Sequence, residues 1–106
     1  MDYKLDEAKK TLCCNFSGRM DTINSNEAND SFKEAMEKAA SSGCAANALK
    51  IVFDLDHVDY VASGFLRLCL VAAKSVGEGN FSIINTEPGV MKVFKIAGLD
   101  QILQVS

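Results

Sequence analysis

Three kinds of side chain in this sequence could do chemistry: a group of acids, four cysteines, and a serine at the start of an apolar helical pattern. Asp54, Asp56, His57 and Asp59 stand close together. Carboxylates are the hard oxygen ligands that magnesium takes, but no glycine-rich phosphate cradle or general base accompanies them. Acids that follow a strand are ordinarily solvated, so the reading is no metal site. His57 has no Ser or Cys arrangement around it that would support nucleophilic catalysis, which leaves no catalytic residue to name. Cys13 and Cys14 are adjacent, Cys44 is alone, Cys69 falls within an apolar helical pattern, and no C-x-x-C occurs. Neighbours in a strand point to opposite faces, so Cys13 and Cys14 cannot ligate one metal from regular strand geometry. All four read as small apolar residues of a reducing compartment. Ser63 stands three residues before Leu66, which with Cys69, Leu70 and Ala73 recurs at the i, i+3, i+4, i+7 spacing of one helix face. A serine there is placed to cap the helix by accepting from a first-turn amide.

The elements that must position these residues follow from pattern. Residues 49–55 are apolar and rich in β-branched and aromatic side chains, with only Lys50 polar before Asp54, which predicts a mid-sheet strand buried on both faces. The acids then read as a short loop leading to the Ser63 helix. Upstream, residues 3–10 are charged and only Tyr3 and Leu5 favour a strand. Residues 11–20 read as a strand with Leu12, Cys14 and Phe16 on one face and a turn at Gly18. Asn24 with Glu27 approximates a capping box, and Ala28, Phe32, Ala35, Met36 and Ala39 trace the buried stripe of a helix reaching about Ala40. The small residues 41–47 form a connection into the central strand. Downstream, residues 77–80 are turn chemistry and 81–84 a strand. A last helix is capped by Thr86, with Pro88 near N1. Its apolar face is Val90, Val93, Phe94 and Ala97, and Gly98 ends it. Ile102, Leu103 and Val105 suggest a short final strand.

Such alternation gives an α/β layer with a largely parallel centre and right-handed crossovers, in which loops at the carboxyl ends of strands form the sites. At 106 residues the expectation is a single domain spanning 1–106. Composition is that of an ordinary globular chain, 48% hydrophobic and 24% charged, and the net charge of −3 argues against nucleic acid. No apolar run approaches the roughly 18 residues of a membrane span, and the first residues lack the apolar core of a signal peptide. The expectation is a cytoplasmic protein with no membrane insertion.

Residues Phe53-Asp-Leu-Asp-His-Val-Asp-Tyr-Val-Ala-Ser63, continued by Leu66-Arg67, resemble the central strand, loop and helix of STAS domains, the anti-sigma-factor antagonist family. Two further stretches resemble that family in order. Gly18-Arg19-Met20-Asp21 is similar to its Gly-x-Leu-Asp, and Glu87-Pro88-Gly89-Val90 through Phe94 to Gly98-Leu99 is similar to its Pro-x-Val helix. The resemblance implies a single STAS-like α/β domain with a mixed, mostly parallel sheet of four to five strands and three main helices. It also implies an edge strand near residues 3–10 and no cofactor. Laid on without gaps, it puts Ser63 in the place of the family's phosphorylated serine, with Asp21, Asp54 and Ser63 on one rim.

What this implies is a bacterial regulatory protein, not an enzyme. Unmodified, it binds an anti-sigma factor or serine kinase of the switch type, frees a sigma factor and so regulates transcription; phosphorylation of Ser63 ends the binding. Phosphate there adds about −1.5 to −2 charge beside Asp54, Asp56 and Asp59, at a helix start that favours anions. The candidate partner-binding residues are Asp21, Asp54, Asp56, Asp59, Gly64, Phe65 and Arg67. The sequence departs from the family at Ala62, where members carry an acid or serine, at Gly64, and at Phe65, which replaces a glycine. Phe65 is open to three readings: a partner contact, an obstacle to a kinase, or a packed side chain. The alternative function is a docking or accessory subunit of a lipid-transport or signalling assembly with no phosphorylation cycle. The sequence names neither the partner nor the oligomeric state.

Overall fold

A strand of twelve residues, β3 (Lys50–Val61), runs through the middle of the molecule and organises everything else. The computed structural model describes residues 1–44, 48–76 and 79–106. In chain order the elements are β1 (Asp2–Asp6), β2 (Thr11–Met20), α1 (Thr22–Ser41), β3, α2 (Ser63–Lys74), β4 (Phe81–Ile84) and α3 (Pro88–Ile96). Of the connections expected from sequence, Ala45, Ala46 and Asn47 of the first and Gly77 and Glu78 of the second lie outside the described residues.

The four strands lie in the order β1-β2-β3-β4, with β1 antiparallel to β2 and the other pairs parallel. Register aligns Leu12 with Ile51 and Phe81, and Cys14 with Phe53 and Ile83. All six are buried in one core with residues of the three helices. Phe53 is its hub. Its ring lies 4.8 Å from that of Phe16, 5.0 Å from Phe81 and 5.8 Å from Phe32, all edge-on, a geometry worth roughly 0.5–1.5 kcal/mol per pair beyond burial. The opposite face, carrying Lys4, Cys13, Asn15, Lys50, Val52 and Asp54, is half-buried or exposed. Burial of β3 on both faces is therefore corrected. The helices cover one side, and the other is polar enough to face water, as a half-wet sheet can. Cys14 inside and Cys13 outside show the alternation directly.

The expected acidic loop is instead strand. Between Asn15↔Asp54 and Ser17↔His57, and again between Gly18↔Val58 and Arg19↔Tyr60, β3 carries one residue more than β2. These bulges turn its inward positions from every second residue to every third: Ile51, Phe53, Leu55, then Val58 and Val61 are buried. Because β1 and β4 pair no further than Asn15 and Asp54, the rest of β2 and β3 continues as a two-stranded ribbon. Asp56, His57, Asp59 and Tyr60 stand on its wet side.

The caps differ from the expected ones. Asp21 caps α1, its Oδ1 accepting from Asn24 N at 2.9 Å, so Asn24 and Glu27 form no capping box. Glu87, not Thr86, is the N-cap of α3, with Pro88 next. The Thr86 hydroxyl is buried without a partner among the described residues. In α2 the buried side chains are Phe65, Leu68, Cys69 and Ala72, which turns the buried face from that drawn through Leu66, Leu70 and Ala73. Ala97 is exposed. Both α1 and α3 end in a glycine at positive φ, Gly43 and Gly98. Leu99 N donates to Phe94 O at 2.9 Å and Gly98 N to Lys95 O at 3.0 Å, the paired bonds of a Schellman ending. In place of a fifth strand, a single bridge joins Val105 to Ile83; Leu103 is buried and Ile102 exposed. That bridge shields the outer edge of β4 from pairing with other chains.

Candidate functional site

The ribbon of β2 and β3 ends where Met20 pairs with Val61, and Ala62 N donates to Met20 O at 2.8 Å. The two chains then diverge into α1 and α2. Ala62 is the N-cap of α2, at φ −96° and ψ 170°, and brings no side-chain oxygen. Ser63 is thus the first helical residue and not the cap. Its side chain is exposed, so its hydroxyl is offered to water beside first-turn amides that no side chain satisfies.

What lies beneath Ser63 is fixed. Phe65 is fully buried, its ring 5.1 Å from Phe16 and edge-on, so of its three readings the packed side chain is the one that fits the geometry. Gly64 lies against α1: a Cβ there would sit 3.5 Å from Ser25 Cβ. Ser25 is 3% exposed, and its hydroxyl donates to Met20 O at 3.1 Å. The starts of both helices are therefore locked to the end of β2.

The other sequence candidates are dispersed. Asp21 does follow β2, but its carboxylate is engaged in capping α1. Asp54 pairs with Asn15, five residues before Met20 along β2; at roughly 3.3 Å per residue that is about 17 Å along the ribbon. Its Oδ1 accepts from Asp56 N at 3.0 Å and Asn85 Nδ2 at 3.2 Å. The expected rim thus keeps Asp21 and Ser63 and loses Asp54. Asp56 pairs with His57 at 3.4 Å, both largely solvated, a geometry that adds little stability. Burial, with Asp54 close by, pushes the Cys13 thiol up from its ordinary pKa. Burial pushes Cys14 up to about 12, so the adjacent thiols stay protonated and poorly nucleophilic. Among the described residues no group of three His, Cys, Asp or Glu side chains is placed to hold a metal ion. Nor is any helix among them long and apolar enough to cross a membrane.

Arg67 is exposed one turn beyond Ser63. With Lys33 it lines a groove of about 340 Å³ between α1 and α2, together with Asn26, Asn29, Gly64 and Val71. Val71 is 51% exposed. Sequence reasoning singled out Arg67 and missed Lys33, whose place on the outer side of α1 carries no signal until α2 is laid beside it. It also missed the Arg19–Tyr60 pair on the ribbon, where the guanidinium lies 4.3 Å from the ring centroid.

The STAS domain family model matches residues 2–106. Over 80 residues the chain is 29% identical to BtrV of Bordetella bronchiseptica, described as an anti-sigma factor antagonist; the match covers 74% of this chain and 69% of that protein. The structure of the anti-sigma factor antagonist SpoIIAA in its unphosphorylated form superposes with a TM-score of 0.68 at 16% identity, covering 99% of this chain and 88% of that one. At that identity the likeness is one of fold: a single α/β domain with a four-stranded mixed sheet and three helices. The chain belongs to the STAS domain family.

Proposed function

We propose that this protein is an anti-sigma factor antagonist of a bacterial partner switch, acting in the cytoplasm by binding and without catalysis of its own. Unmodified, it docks on an anti-sigma factor with serine kinase activity and so releases a sigma factor. The kinase transfers the γ-phosphoryl group of ATP to Ser63 Oγ, the hydroxyl proton and ADP leave, and binding ends. The observation that carries this reading is an exposed hydroxyl at the first position of a helix whose cap supplies no oxygen.

The geometry supports such a cycle physically. Phosphate brings about −1.5 to −2 charge, and helix-start amides and dipole favour an anion by roughly 0.3–1 kcal/mol. Asp54, about 17 Å down the ribbon, lies beyond the screening length of roughly 8–10 Å at ordinary salt. Because Phe65, Gly64 and Ser25 hold the base of the site, modification changes the surface and spares the core. The partner surface centres on Ser63, Gly64 and Arg67, with Asp59 on the adjoining ribbon.

Intact-mass measurement of the protein incubated with a switch-type kinase and ATP tests this. One phosphoryl group is expected on the wild type and none on Ser63→Ala. Phosphorylation of both proteins would move the site elsewhere. A partner that binds tightly yet transfers no phosphate would leave a docking subunit and overturn the switch.

A further inference from the structure

Arg67 stands four residues after Ser63 on α2, both side chains exposed. Residues at that spacing share a helix face, with Cβ atoms about 5–6 Å apart. Helical side chains lean toward the N-terminus, so Arg67 is directed back over the first turn, where Ser63 lies. An anion N-terminal to its cation is also the favourable order for such a pair. Arg67 has no competing commitment: among the described residues it forms no ion pair and stacks on no ring. Its helical neighbours at three and four positions, Gly64, Ser63, Leu70 and Val71, include no acid.

We infer that a phosphoryl group on Ser63 is held by Arg67 of the same helix, which withdraws that guanidinium from the groove between α1 and α2. This rests on the reading of Ser63 as the modified residue. A guanidinium presents paired N–H donors that match two phosphate oxygens, stronger than neutral hydrogen bonds. Phosphorylation then acts twice on an approaching partner: it adds an anion at Ser63 and, among the described residues lining the groove, leaves Lys33 as the remaining cation. The charged groups on the elements meeting here include Arg67, Lys33 and Asp21, the last already engaged by Asn24 N, and, on the ribbon, Asp59 and Arg19, the latter stacked on Tyr60. The pairing makes Arg67 a positioning residue for the modified state, a role distinct from direct partner contact.

The test uses the full chain with phosphoserine installed genetically at position 63, so no kinase is needed, and follows the phosphate by ³¹P NMR against pH. A free phosphoserine loses its second proton near pH 6. In the wild type that midpoint is expected about half a pH unit lower. It should return toward 6 in Arg67→Gln, fall between in Arg67→Lys, and stay unchanged from wild type in Lys33→Gln, with far-UV circular dichroism confirming that each variant folds. Equal midpoints in wild type and Arg67→Gln would overturn the inference, as would a shift abolished by Lys33→Gln alone. If the kinase experiment fails, this titration still reads Arg67, so the two ideas fail separately.

Discussion

Two helices start side by side at the end of the β2–β3 ribbon and are finished in opposite ways. The start of α1 is closed by side chains: Asp21 accepts from Asn24 N, Asn24 Nδ2 donates to Arg19 O at 2.7 Å, and the buried Ser25 hydroxyl donates to Met20 O. The start of α2 has an alanine at the cap and an exposed serine after it. Burial supports α2 instead, through Phe65 beneath and Gly64 against α1. A helix start whose polar needs are met internally gains stability and has no place for a new anion. One held from below by packing can leave its amides open, which is why the second start is the one proposed to accept a charge.

That contrast can be broken at several points. The largest effect is expected from Phe65→Ala, which empties the core under α2 and should cost about 3–5 kcal/mol in denaturant unfolding. Asp21→Ala removes the cap of α1 and should cost about 1 kcal/mol. The mirror change, Ala62→Asp, supplies α2 with the oxygen it lacks; the extended backbone at Ala62 suits a cap, so a gain of roughly 0.5–1 kcal/mol is expected by the same measurement. Smallest is Gly64→Ala. Its Cβ would make an ordinary contact with Ser25, and alanine favours the helix, so stability should stay within about 0.5 kcal/mol or rise slightly. A loss from Ala62→Asp comparable to that from Asp21→Ala would erase the distinction between the two starts.

Much of this was legible in the sequence, for reasons that differ by element. The strands at 11–20 and 81–84 and the inward stripe of α1 follow from periodicity because each packs one regular face on the core. The stretch from Asp54 to Tyr60 was not legible, because its bulges break the period of two and its polar residues read as a loop. Val52 and Ile84 look like core residues in sequence, yet they lie on the face no helix covers. The caps were misassigned by one to three residues where several candidates compete: Asp21 over Asn24, Ala62 over Ser63, Glu87 over Thr86. Ser63 was singled out as a candidate by resemblance and pattern together, and the structure adds its exposure. The groove with Lys33 required two helices to meet, which no single segment encodes.

The most direct test compares phosphoserine-63 protein with unmodified protein in two readouts: thermal unfolding, and calorimetric affinity for a kinase that binds the unmodified chain. The melting temperature should stay the same or rise by a few degrees on modification, with affinity weakened at least about tenfold, or 1.4 kcal/mol. Unfolding on modification, or unchanged affinity, would contradict the account.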